Sequence, residues 1–97
     1  MSAASFQPGD VRVRAGRREF TLRLTLGSLA ELCDRFETLD LRALARRLRR
    51  PAPADTEHLA RALLRPAHGG AADALSQVVP REALLPAAAK LFEEAFR

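Results

Sequence analysis

The sequence predicts an α+β fold, in which an N-terminal β-hairpin is followed by four to five short α-helices. The first observation is the alternation from Phe20 to Leu24, which places apolar side chains on one face and Thr21 and Arg23 on the other. The second is a change of period after Leu26, where apolar residues recur at helical spacing. The third is chain order, because the later segments are helical in pattern and are separated by proline or glycine.

The hairpin is expected over residues 10–25, after a polar leader at residues 1–9. Val11–Arg14 alternates as the first strand, and Glu19–Leu24 as the second. Ala15-Gly16 lies between them and is the expected loop, because Gly16 can adopt the positive φ that a short hairpin connection needs. The hairpin should therefore lead directly into the helical part of the chain.

Two helices are expected next. Thr25 is the predicted N-cap of the first, with its hydroxyl accepting from the amide of Ser28, and a break near Thr38 ends that helix. Asp40 is the predicted N-cap of the second, which Pro51 and Pro53 should stop. The predicted buried stripes are Leu29, Leu32, Cys33 and Phe36 in the first helix and Leu41, Leu44, Ala45 and Leu48 in the second.

Three further helices complete the prediction. The third begins at residues 55–56 and ends before Pro66, and residues 67–70 form a glycine-rich loop. A short fourth helix covers Asp73–Val79, and the last runs from near Pro86 to Phe96. The residues predicted to be buried are Leu59, Ala62 and Leu63 in the third helix and Ala88, Leu91, Phe92 and Ala95 in the last.

Composition limits the classes of protein that the chain can belong to. Its 97 residues, 47% hydrophobic and 29% charged, are typical of one globular domain, so residues 1–97 are assigned to a single domain with its helical part at 26–97. The single cysteine forms no internal disulfide, and the sequence has neither a signal peptide nor an apolar run long enough for a membrane span. The expected location is the cytoplasm.

The candidate catalytic residues are few. Cys33 falls in the predicted buried stripe of the first helix, where a thiol behaves as a small hydrophobe. His58 and His68 have no partners at zinc spacing, and Gly69-Gly70 is not followed by the residues of a phosphate-binding loop. We therefore predict a protein that is not an enzyme and that uses no metal or cofactor.

A row of arginines is the main surface feature. The net charge is +4, and helical spacing predicts that four arginines project opposite the buried stripe of the second helix, namely Arg42, Arg46, Arg49 and Arg50. Three uses stay open: a solvated face, contact with a protein partner, or phosphate contacts in a nucleic acid. At the end of the chain, Leu91, Phe92 and Phe96 are candidates for partner binding, with core packing as the alternative.

The order of these features resembles one known family. Gly16-Arg17 at the hairpin turn, the strand Phe20–Thr25 and the junction Leu26–Leu32 (LGSLAEL) are similar to the small tail protein of gene transfer agents, which are particles derived from tailed phages. Further similarities follow along the chain: Asp40–Leu48 (DLRALARRL), Leu63–Arg65, His68–Gly70 and the closing Ala95-Phe96.

The resemblance implies a role in building a phage-type tail. The expected partner is a tape-measure protein or a tail-tube subunit, and the expected setting is the cytoplasm or a phage-like particle. A helix-rich chain is poorly suited to the β-sandwich of a tube subunit, so an assembly chaperone is the favoured role. Self-association stays open, and the alternative of another class is a small nucleic-acid-binding domain that uses the arginine face.

Overall fold

The structure of the protein is a computed structural model, and it describes residues 9–95 apart from the side chain of Leu41. Two antiparallel strands come first and helices follow, which confirms the predicted α+β class. The elements are β1 (Gly9–Ala15), β2 (Arg18–Leu24), α1 (Leu26–Arg35), α2 (Leu41–Arg47), α3 (Pro53–His68), a 3-10 turn (Gly69–Ala71), α4 (Ala72–Ser76) and α5 (Arg81–Ala95). None of the helices in the described part of the chain is long and apolar enough to cross a membrane.

The hairpin forms where it was predicted, but its loop lies one residue later. Ala15 pairs with Arg18, so the expected loop at Ala15-Gly16 was wrong, and the two-residue loop is Gly16-Arg17, where the resemblance to the tail protein family had placed the turn. Gly16 has a φ of 63° and Arg17 does not have a positive φ, which is the pattern of a type II′ turn. Strand β1 also begins at Gly9, inside the predicted leader, whose residues 1–8 lie outside the described part of the chain.

The core lies on one face of the hairpin. Strand β2 packs against α3, and β1 packs against α5, so the two longest helices cover the same side of the sheet. Alternation along both strands places one set of side chains in this core and the other in solvent. The strand residues that are buried there are Val13, Phe20, Leu22 and Leu24.

Helix α1 begins and ends through local hydrogen bonds. The backbone N–H of Ser28 donates to Thr25 Oγ1 at 3.0 Å, which confirms the predicted N-cap. At the other end, the N–H of Thr38 donates to the Cys33 carbonyl at 3.0 Å and the N–H of Glu37 to the Asp34 carbonyl at 3.3 Å. These two bonds form a Schellman motif, in which Glu37 takes the left-handed position with a φ of 52°.

Helix α2 is capped as predicted. Asp40 Oδ1 accepts from the N–H groups of Arg42 and Ala43 at 3.0 and 3.3 Å. Leu44 and Leu48 are buried, as expected for the stripe, whereas Ala45 is only half-buried and the side chain of Leu41 lies outside the described residues. The Arg47 side chain is exposed, and its guanidinium lies 5.0 Å from the centre of the Phe36 ring and its Nε lies 3.7 Å from Asp55 Oδ2.

Two prolines do not end helices where the sequence predicted. Helix α3 begins at Pro53, two residues before the predicted start, because proline fits the first helical turn, where its missing N–H has no intrahelical role. The same helix continues through Pro66 to His68, so the predicted end before Pro66 was wrong. Pro66 lies close to the C-terminus of α3, and its ring removes only the single bond to the Ala62 carbonyl.

Helix α5 also continues through a proline that was predicted to mark a helix boundary. It begins at Arg81 rather than near Pro86, and Pro86 lies within it. Pro80 precedes the helix, and its carbonyl accepts from the N–H groups of Ala83 and Leu84 at 3.1 and 2.9 Å. The first turn is therefore complete before Pro86 is reached.

The segment between α3 and α5 is also more regular than predicted. Residues 67–68 end α3 and residues 69–71 form a 3-10 turn, so the expected loop at 67–70 was wrong. Gly69 makes this possible with a φ of 57°, since it turns the chain directly after α3. The fourth helix covers Ala72–Ser76, shorter than the predicted Asp73–Val79.

Candidate protein-binding groove

An apolar groove lies between α2 and α5. Its volume is about 730 Å³. The α2 side contributes Arg42 and Ala45 from the helix and Leu48 and Arg49 directly after it, and the α5 side contributes Leu85, Pro86, Ala88, Ala89, Phe92 and Glu93. Most of these side chains are apolar, and both arginines come from the α2 side.

Small residues on the α5 side leave part of the groove open to solvent. Ala89 and Pro86 are exposed, so the groove reaches the surface there. Phe92 is only 8% exposed and supplies an aromatic surface at the base of the groove. An aromatic base beside small apolar residues suits the insertion of apolar side chains from another protein.

The α2 side of the groove is held in place by contacts on two faces. Leu44 and Leu48 pack into the core, and Arg47 contacts Phe36 and Asp55 on the face away from the groove. The connection from α2 to α3 is tied to the start of α5, because Arg81 donates to the Pro51 carbonyl at 2.9 Å. Both walls of the groove are thus fixed to one framework.

The structure separates the four predicted arginines into two pairs. Arg42 and Arg49 line the groove, whereas Arg46 and Arg50 are exposed and do not line it. Helix α2 ends at Arg47, so Arg49 and Arg50 lie beyond it, and the prediction of a single helical row was wrong for these two. The groove therefore has a basic edge formed by one pair only.

The three candidates at the end of the chain also differ in position. Phe92 lines the groove, whereas Leu91 is 2% exposed and packs in the core. Leu91 Cδ2 lies 3.8 Å from the position that a Cβ would occupy on Gly9, which places it against β1. Phe96 lies outside the described residues.

The candidate catalytic residues lie apart from the groove. His68 Nε2 accepts from the backbone N–H of Thr21 at 3.0 Å. Cys33 is free and half-buried rather than fully buried as predicted, and burial raises the pKa of its thiol, which keeps it protonated at neutral pH. Within residues 9–95, no three His, Cys, Asp or Glu side chains are close enough together to hold a metal ion.

A second groove, which sequence reasoning missed, lies along the outer side of α1. Leu26 is 66% exposed and Leu39 is 94% exposed, and together they border a space of about 630 Å³. Its lining is Leu26, Leu29, Ala30, Cys33, Asp34, Glu37, Thr38 and Leu39, which we call the α1 surface. The available signal was that Leu26, Ala30 and Cys33 form an i, i+4, i+7 stripe beside the predicted core stripe.

The chain thus presents two apolar grooves, one with a basic edge and one with an acidic edge. Grooves of this kind are typical of protein binding, since they offer apolar area beside charged side chains. Comparison with known proteins adds no relative: no protein-family model, no curated protein and no solved structure matches the chain.

Proposed function

We propose that the protein is a tail-assembly chaperone of a phage-derived particle of the gene-transfer-agent type, and that the α2–α5 groove binds its client. The client is an amphipathic helical segment of a tape-measure or tail-tube protein. The observation that carries the proposal is the groove itself, an apolar space of about 730 Å³ that is open to solvent at Ala89 and has Phe92 at its base. The resemblance of the hairpin and its junction to the tail protein family supplies the identity of the client.

The chemistry of the groove defines the client further. A helix inserts apolar side chains at positions i, i+3, i+4 and i+7 when it binds in such a groove. Arg42 and Arg49 lie along one edge, so acidic residues on the client favour one orientation and faster association. Binding to a soluble chaperone would cover apolar client surface that otherwise aggregates before the tube polymerises.

The decisive experiment blocks the groove without disturbing the core. Ala89 is exposed, and arginine is a good helix former, so Ala89→Arg should fold normally while its side chain fills the groove. The matched control is Ala74→Arg, which places the same residue at an exposed position of α4 that does not line the groove. We expect co-purification with the co-expressed client at ~0.5 M NaCl for the control and not for Ala89→Arg.

The charged edge gives a second test. Arg42→Glu and Arg49→Glu should weaken client binding several-fold at low salt and much less at ~0.5 M NaCl, because surface charges are screened there. A nucleic-acid-binding domain behaves differently, since its affinity for duplex DNA falls log-linearly with salt. The chaperone proposal would be overturned if the protein bound DNA strongly and if Ala89→Arg did not reduce co-purification of the client.

A further inference from the structure

The α1 surface leaves large apolar side chains in solvent. Leu26 and Leu39 are exposed at its two ends, and Ala30 is exposed between them. Cys33 lies half-buried in its base. Large exposed apolar side chains that border one groove indicate a surface that another molecule covers.

Acidic side chains line the same surface. Asp34 and Glu37 are exposed, and within residues 9–95 neither side chain takes part in an ion pair or a hydrogen bond. The chain as a whole has a formal net charge of +4, so the charge of this groove is opposite in sign to that of the whole protein. The molecule that covers it should present basic side chains beside apolar ones.

This chain presents basic side chains of that kind next to the α1 surface. Arg46 and Arg50 are exposed, do not line the α2–α5 groove and have no side-chain partner among the described residues. Arg47, the neighbour of Arg46, lies 5.0 Å from the ring centre of Phe36, the neighbour of Glu37, so the segment that carries the basic pair contacts the end of α1. The two complementary surfaces are therefore adjacent on one molecule.

We propose that the α1 surface is covered by a second copy of this chain in a two-fold symmetric dimer. Such an interface is self-complementary. If residue i of the first copy contacts residue j of the second, then residue i of the second copy contacts residue j of the first. Adjacent acidic and basic surfaces fit this rule, because Asp34 and Glu37 of each copy then face Arg46 and Arg50 of the other. Leu26 and Leu39 of each copy are then covered by the other copy.

The dimer is independent of the proposed chaperone function. It uses Arg46 and Arg50, whereas the α2–α5 groove uses Arg42, Arg49 and Phe92. A chain that binds a client and never dimerises would overturn only the dimer, and a dimer without a client would overturn only the chaperone. The two sets of variants do not overlap.

The first experiment is sedimentation equilibrium of the full chain over a wide concentration range. We expect a monomer–dimer equilibrium, and Leu39→Ser should raise the dissociation constant at least about tenfold, because it removes a large apolar side chain from the interface. Leu39 is almost fully exposed, so its replacement should leave folding unchanged. A matched control is Val78→Ser, an exposed apolar residue after α4 that does not line either groove.

The second experiment tests the pairing of charges. Glu37→Lys alone and Arg46→Glu alone should each weaken dimerisation at least about fivefold, because each change places like charges together twice across the axis. An equimolar mixture of the two variants should form a heterodimer with the wild-type affinity, since both pairs are then opposite in sign. Arg17→Glu in the hairpin turn is the control for net charge and should dimerise normally.

The outcomes are separable. A chain that stays monomeric at high concentration overturns the proposal. So does an oligomer that neither Leu39→Ser nor the charge changes affect, because it must use another surface. Failure of the mixture to restore a heterodimer also contradicts it, since only a two-fold interface predicts restoration at both contacts.

Discussion

His68 Nε2 accepts a hydrogen bond from the backbone N–H of Thr21 at 3.0 Å, and this bond joins the end of α3 to strand β2. Thr21 pairs with Arg12, which in a hairpin with a two-residue loop is a non-hydrogen-bonded pair, so the Thr21 N–H points away from β1. On the same edge, Ser28 Oγ donates to the Arg23 carbonyl at 3.3 Å. Helices α3 and α1 thus satisfy polar groups on the edge of β2 that no strand covers.

We expect His68→Ala to destabilise the protein by about 1 kcal/mol. The change leaves a half-buried backbone donor without its partner, and the cost of such a loss is of this order. Urea unfolding should show the loss, and hydrogen exchange of the Thr21 amide should become faster than that of its neighbours.

The control for this prediction is His58→Ala. His58 is half-buried on the same helix and has no hydrogen bond through its side chain in the described structure. If both variants lose the same stability, the packing of the imidazole matters and the hydrogen bond to Thr21 does not.

The caps of α1 and α2 could be predicted from the sequence because they are local. Thr25 and Asp40 each contact an amide two or three residues away, so a short polar residue before an apolar period is sufficient evidence. The His68–Thr21 bond could not be predicted, since 47 residues separate its partners along the chain. Only the packing of α3 on β2 brings them together.

The proline positions show why helix boundaries were harder. Pro66 and Pro86 each remove one backbone hydrogen bond, a local penalty that argues for a boundary. Contacts beyond each proline favour continuation of the helix instead: His68 accepts a hydrogen bond from the Thr21 N–H after Pro66, and Ala87 and Ala88 are buried after Pro86. Tertiary packing outweighs the local penalty of the proline, and this packing cannot be predicted from the sequence pattern alone.

The candidate site was predicted only in part. The arginines near α2 and Phe92 were selected for separate reasons, and the fold brings Arg42, Arg49 and Phe92 to one groove. Leu26 and Leu39 were missed because the apolar stripe that contains Leu26 does not show whether another element covers it, and Leu39 lies outside any helix. Residue type therefore indicated which side chains could bind a partner, but it did not indicate where on the surface they would lie.

We expect Asp40→Ala to destabilise the protein by about 1 kcal/mol, because it removes both hydrogen bonds to the start of α2. Asp40→Asn should lose much less, since the amide oxygen can still accept them. Urea unfolding measures both values. Helix α2 forms one wall of the α2–α5 groove, so client binding should fall in the same order; equal stability of the two variants would show that the cap contributes little.

Glu37→Gly should stabilise the protein by about 0.5–1 kcal/mol. Glu37 occupies the left-handed position of the Schellman motif with a φ of 52°, where glycine avoids the steric cost of a Cβ. The converse change, Gly16→Ala, places a Cβ at a φ of 63° in the hairpin loop and should destabilise by a similar amount. Thermal unfolding at low protein concentration should separate the two in opposite directions, and a loss of stability in Glu37→Gly would contradict the argument.

Pro86→Ala should stabilise the monomer and weaken client binding. Alanine restores an N–H that can donate to the Glu82 carbonyl inside α5, and proline in a helix interior is about 3 kcal/mol less favourable than alanine. Pro86 is exposed, so little core packing is lost, and we expect a gain of about 1–3 kcal/mol in urea unfolding. The ring also forms part of the groove wall, and its removal should raise the dissociation constant of the client several-fold. A variant that gains stability and keeps full affinity would show that the proline ring is not part of the binding surface, while a loss of stability would mean that the ring itself is required for the packing of α5.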